Sequence, residues 1–144
     1  MSELRWNPLL EEWVVTATHR QERTFLPPPD YCPLCPTRPG GYPTEIPASD
    51  FQIVVFENKF PSFRRQPPPP EVASRDLLEA MPAEGICEVV VYTPVHEGTL
   101  TEQPVELIDR LIWVWTHRTR EIGDRPEVQY VLVFENKGEE IGVT

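Results

Sequence analysis

Apolar and polar residues along the chain change their spacing twice. Trp13–Thr18 (WVVTAT) is apolar and β-branched and follows a turn-like NPLLEE at 7–12, which predicts a strand. Phe51–Asn58 (FQIVVFEN) and Ile86–Thr93 (ICEVVVYT) predict two more. The spacing then lengthens: Ile108, Leu111, Ile112, Trp115 and Ile122 fall on one face at helical period. Thr99 to Glu102 (TLTE) forms a capping-box signature ahead of that face, Pro104 is tolerated in a first turn, and Gly123 can end the helix. After a DRPE turn, Val128–Asn136 (VQYVLVFEN) predicts a fourth strand. Strands, one long helix and a last strand predict an α+β fold, an antiparallel sheet with one long helix packed across it.

The pentapeptide VFENK occurs at Val55–Lys59 and again at Val133–Lys137, each time at the end of an apolar run. Valine and phenylalanine belong to the strand, and asparagine breaks it by hydrogen-bonding nearby backbone. The copies begin 78 positions apart (133 − 55) with unlike segments between them, so no repeat array is implied.

Composition narrows the function. Thirteen basic against 23 acidic residues give a net charge of −10, which repels nucleic-acid backbones and anionic lipid. The longest apolar runs, such as Leu111–Trp115, are too short to span a membrane, and the start MSELRWNPLL lacks the pattern of a signal peptide. The expectation is a single cytoplasmic domain over residues 1–144, with no nucleic acid and no membrane partner. An acidic protein that binds an anion needs local cations, which singles out Arg20 and Arg23 after the first strand; two guanidiniums at that spacing can grip phosphate oxygens. A solvated turn is the plain alternative. The 18 prolines, including runs at 27–29 and 67–70, read as rigid surface loops.

Cys32-Pro-Leu-Cys35 is a two-thiolate knuckle in a proline- and glycine-rich loop. A redox pair would open a helix after a strand, and this one does not, so metal ligation is the expectation. His96, in the loop after the third strand, is the best third ligand. His19 lies beside arginines, His117 lies on a polar part of the helix, and Cys87 reads as a small apolar strand residue.

Together, NPLLEEWVVTATHRQER, the CPLC knuckle, VFENKFPSF, VYTPVHEGTL and VFENKGEEIG resemble the amino-terminal half of galactose-1-phosphate uridylyltransferase, in the histidine-triad superfamily. The resemblance runs along nearly the whole chain. It implies uridylyl exchange between UDP-glucose and galactose 1-phosphate through a covalent uridylyl-histidine. It assigns Arg20 and Arg23 to the nucleotide phosphates, and Asn58, Lys59 and Phe60 to the uridine side. Asn136, with Gly142, Val143 and Thr144 after it, is assigned to the phosphate loop. It assigns Cys32, Cys35 and His96 to zinc, with iron as a second metal in full-length members, and implies a homodimer. The family pattern continues past the second VFENKG into His-Pro-His-Gly-Gln, which holds the fourth zinc ligand and the nucleophile. None of His19, His96 and His117 lies in such a motif. The expectation is therefore an amino-terminal half without its carboxy-terminal half, inactive alone. Two other readings are a relative that transfers adenylyl groups to or from sugar phosphates, and a zinc-binding interaction module without chemistry.

Overall fold

In the computed structural model, residues 2–17 and 31–136 are described. The strands are β1 (Ser2–Asn7), β2 (Glu12–Ala17), β3 (Val54–Glu57), β4 (Ala80–Pro82) and β5 (Glu88–Val91); a 3₁₀ turn at Leu100–Glu102 precedes helix α1 (Val105–Gly123). The chain forms two compact units, one drawing on Met1–Arg23 and Glu57–Val89, the other on Thr24–Phe56 and Val90–Thr144. The fold class is α+β, as the residue pattern predicts.

In the first unit β1 is the centre of a three-stranded antiparallel sheet, order β2–β1–β4. The β1–β2 hairpin closes at Asn7, whose Oδ1 accepts the Leu9 N–H at 3.1 Å, and Glu11 sits at φ 53°. Its register sets Trp6 opposite Trp13, with ring centroids 5.6 Å apart in a tilted pair. Neither β1 nor β4 stands out as a strand from the sequence. In β1 the reason is Glu3, a charged residue that is only 3% exposed. Arg5, two residues on and so on the same strand face, donates from Nε to Glu3 Oε1 at 2.7 Å. The Glu71 backbone N–H donates to Glu3 Oε2 at 2.7 Å, just after the 67–70 proline run.

The Arg5 hydrogen bond holds the Glu3 carboxyl below its ordinary range, against the opposing effect of burial. A carboxyl lowered in the folded state stabilises the fold above its unfolded pKa, and that contribution fades as pH falls through the folded value. Glu3→Gln is therefore expected to lose on the order of 1 kcal/mol at pH 7, and the difference from the parent is expected to shrink towards pH 3. Urea unfolding at both pH values measures it; an equal difference at both would rule out a charge-based role.

In the second unit Leu111 and Ile46 are the buried apolar residues among those described, at 0% and 2% exposure. Of the predicted helix face, Leu111 is buried, Ile108, Trp115 and Ile122 are half-buried, and Ile112 is exposed. The capping box forms, with the Thr99 N–H donating to Glu102 Oε2 at 2.6 Å, but it closes the 3₁₀ turn rather than α1. Gln103 precedes proline, which disfavours helical backbone; it is extended at φ −77°, ψ 148°, and α1 starts only after Pro104. Arg110 on α1 donates to Gln52 Oε1 at 2.9 Å, tying the helix to the segment before β3.

β3 and β5 form a two-stranded sheet. Both are shorter than the sequence predicts. The fourth predicted strand is overturned: Val128–Asn136 has no strand assignment. Tyr130, Leu132 and Phe134 are 78%, 65% and 68% exposed there. The residues have strand propensity, but a strand exists only where a neighbour supplies a ladder, and no described residue does so for this segment. It is anchored instead through side chains: Tyr92, just beyond β5, donates its hydroxyl to Glu135 Oε1 at 2.9 Å. Burial, then that bond and the charge of Glu135, raise the Tyr92 phenol above its ordinary value.

Candidate metal centre

The knuckle is built by a short network of backbone bonds. The Cys35 N–H donates to the Cys32 carbonyl at 3.3 Å, closing the turn that brings the two thiols together. The loop then doubles back through a parallel bridge between Pro36 and Ile46. The Thr37 N–H donates to Ile46 O, and the Glu45 N–H to Pro33 O, both at 2.9 Å. Thr44 pins the crossing: its Oγ1 donates to the Cys35 carbonyl at 2.6 Å, and its N–H donates to Thr37 Oγ1 at 3.0 Å. Gly40, at φ 75°, supplies the left-handed residue that lets the loop reverse between these strands of contact. Ile46, whose carbonyl takes part in this network, is itself buried at 2% exposure.

The loop after β5 brings in His96. Its Nδ1 lies 3.5 Å from Cys35 Sγ. One donor atom each from Cys32, Cys35 and His96 lies within 4.8 Å of the others, the only such group of three or more metal-binding side chains among the described residues. Two sulfurs and an imidazole fit zinc or iron by donor chemistry, and at this separation they can hold a metal ion. Burial pushes the Cys35 thiol up to about 11, helped by its hydrogen bond to Cys32 and the like charge there, while Arg38 pulls it down. Ligation requires thiolates, so a cation entering the knuckle displaces protons from it.

The remaining candidates separate clearly. His117 stacks on Trp113 with ring centroids 5.3 Å apart, and its Nε2 lies 3.5 Å from Glu121 on exposed positions of α1; it is not in the cysteine group. Cys87 is half-buried in the first unit and is not in the group. His19, Arg20, Arg23, Gly142, Val143 and Thr144 lie outside the described residues. Asn58 follows β3 in the first unit; its N–H donates to the Cys87 carbonyl at 2.9 Å and its Oδ1 accepts the Phe60 N–H at 2.8 Å. The strand exit inferred from the repeated pentapeptide is therefore real at its first copy. Lys59 Nζ lies 5.6 Å from the centre of the Phe60 ring, and both side chains are exposed. Asn136 is exposed at the end of the unassigned segment in the second unit, beside the anchored Glu135. Thr44, Tyr92 and Glu135 carry these arrangements, yet nothing in their sequence context marks them; their roles arise from contacts between distant residues.

Residues 1–144 match the family described as galactose-1-phosphate uridyl transferase, N-terminal domain. The galactose-1-phosphate uridylyltransferase of Thermotoga maritima is 38% identical over 144 residues, covering 100% of this chain and 43% of that protein. The enzyme of the same name from Streptomyces lividans is 38% identical over 143 residues, covering 99% of this chain and 35% of that protein. An ADP-glucose phosphorylase of Arabidopsis thaliana is 28% identical, across 99% of this chain and 45% of its own length. A solved uridylyltransferase structure superposes with a TM-score of 0.75 at 28% identity, covering 97% of this chain and 41% of that one. The chain thus spans less than half the length of these relatives.

Proposed function

Because this chain belongs to the galactose-1-phosphate uridyl transferase family, as its N-terminal domain, we propose that it supplies the nucleotide-binding and metal-braced half of a uridylyl-transfer site. The reading is carried by the match along residues 1–144. Its substrates are UDP-glucose and a hexose 1-phosphate. Arg20 and Arg23 hold the nucleotide phosphates, and two guanidiniums offset the protein's own net charge of −10 at that spot. Asn58, Lys59 and Phe60 face the uridine. Asn136 donates its amide to the phosphates, and Gly142, Val143 and Thr144 are further substrate-binding residues of this reading. Cys32, Cys35 and His96 hold zinc, whose part is structural: it cross-links the knuckle to the loop after β5, positions 61 residues apart in the chain. Phosphate-gripping groups of this kind stabilise the charge that develops as the uridylyl group leaves glucose 1-phosphate. None of His19, His96 and His117 lies in a His-Pro-His-Gly-Gln motif, and in this reading His96 serves the metal. A homodimer is part of the proposal; exposed Tyr130, Leu132 and Phe134 favour a cover over this segment.

Thermal unfolding with nucleotides tests the assignment. A ligand at 100 times its Kd stabilises the fold by about 2.7 kcal/mol, so UDP-glucose is expected to raise the melting temperature by several degrees and ADP-glucose by less. The reverse order would favour the adenylyl reading, for which the Arabidopsis relative is the specific support. Metal binding with no nucleotide effect would leave only an interaction module.

A further inference from the structure

The two ring nitrogens of His96 face opposite edges of the imidazole. Nδ1 faces the cysteines, 3.5 Å from Cys35 Sγ. Nε2 faces the other way, with Glu97 Oε1 4.0 Å from it. A neutral imidazole carries one N–H. To ligate a metal through Nδ1, His96 must keep its proton on Nε2, and an anionic acceptor on that side fixes both the tautomer and the orientation of the ring.

We propose that Glu97 is the outer carboxylate of the metal centre, accepting the Nε2–H of His96 and so holding Nδ1 toward Cys32 and Cys35. This rests on the metal reading above. Glu97 is not itself one of the ligands: the donor atoms that lie within 4.8 Å of one another come from Cys32, Cys35 and His96. From 4.0 Å, the carboxylate closes to hydrogen-bond range by a movement of about 1 Å. Its side chain is 92% exposed, so nothing packs against that movement. Exposure also sets the size of the effect. An exposed ion pair alone contributes little. Metal ligation polarises the imidazole and strengthens Nε2–H as a donor, which places the contribution near the lower end of the 10–100-fold that outer partners bring to metal affinity.

Cobalt(II) and zinc titrations of the full chain against a chromophoric chelator test this. The parent, Glu97→Ala, Glu97→Gln and His96→Ala are compared, with far-UV circular dichroism confirming that each is folded. Glu97→Ala is expected to keep the cobalt–thiolate absorption of the parent, to bind about tenfold more weakly and to release metal faster. Glu97→Gln, which keeps an acceptor oxygen without the charge, is expected to fall between, and the gap between parent and Glu97→Ala is expected to narrow at high salt. His96→Ala changes the spectrum itself. A parent-like affinity in Glu97→Ala, within twofold, would overturn the proposal while leaving the metal site standing. A changed cobalt spectrum in Glu97→Ala would overturn it by making Glu97 a ligand. A parent that binds neither metal would remove the metal reading, and this one with it.

Discussion

Cys35→Ser is expected to weaken zinc or cobalt binding by more than a hundredfold, beyond the roughly 10–100-fold range of an outer-shell change. The serine hydroxyl keeps the shape of the thiol but does not ionise near neutral pH, so one of three donors disappears. The rest of the loop is expected to survive, because the knuckle turn and the Thr44 crossing engage Cys35 only through its backbone N–H and carbonyl, which the substitution does not touch. Circular dichroism should therefore be unchanged without metal. With metal, the parent gains stability in proportion to ligand excess, about 2.7 kcal/mol at 100 times its Kd, and Cys35→Ser does not. A chelator should return the parent to the melting temperature of the variant. Equal metal affinity in parent and variant would remove Cys35 from the ligand set and with it the account of the knuckle.

Leu111→Ala is expected to cost about 2–5 kcal/mol. Leu111 is the one large side chain among the described residues that is fully buried, so truncation removes its contacts and leaves a cavity in the second unit. Against a typical total stability of about 5–15 kcal/mol, such a loss lowers the urea midpoint markedly. Ile112, its neighbour, is 52% exposed, and Ile112→Ala is expected to cost well under half as much. The contrast matters because the sequence sets both residues on one apolar face. Similar costs at the two positions would contradict the packing.

These two sites also show what could be read from the residues and what could not. The helix was legible because Ile108, Leu111, Trp115 and Ile122 repeat at its period; its start was displaced because the capping box was followed by Gln103-Pro104, where proline's steric demand outweighs the local signal. The central parts of β2, β3 and β5 were legible from β-branched runs. β1 was not, because its buried Glu3 reads as surface until Arg5 and the Glu71 N–H are seen around it. β4 was not, because a three-residue strand ending in Pro82 is defined by its pairing with Glu3–Arg5 rather than by its own composition. Val128–Asn136 misled for the same reason in reverse: its propensity is local, and a ladder is not. The metal group was legible, since thiolate spacing and a loop histidine are properties of residue type. Thr44, which braces the loop, and Glu97, which stands behind His96, depend on which atoms approach one another.

The proposal to be tested is that this chain binds a uridine sugar nucleotide, with Arg20, Arg23 and Asn136 among the binding residues, and a metal ion with Cys32, Cys35 and His96. Calorimetric titration of UDP-glucose into the metal-loaded chain tests it most directly. The account predicts saturable binding that Arg20→Ala, Arg23→Ala and Asn136→Ala each weaken by roughly tenfold or more, as expected when a hydrogen bond to a charged group is lost. No binding heat from the parent, or affinities in all three variants equal to the parent's, would contradict it.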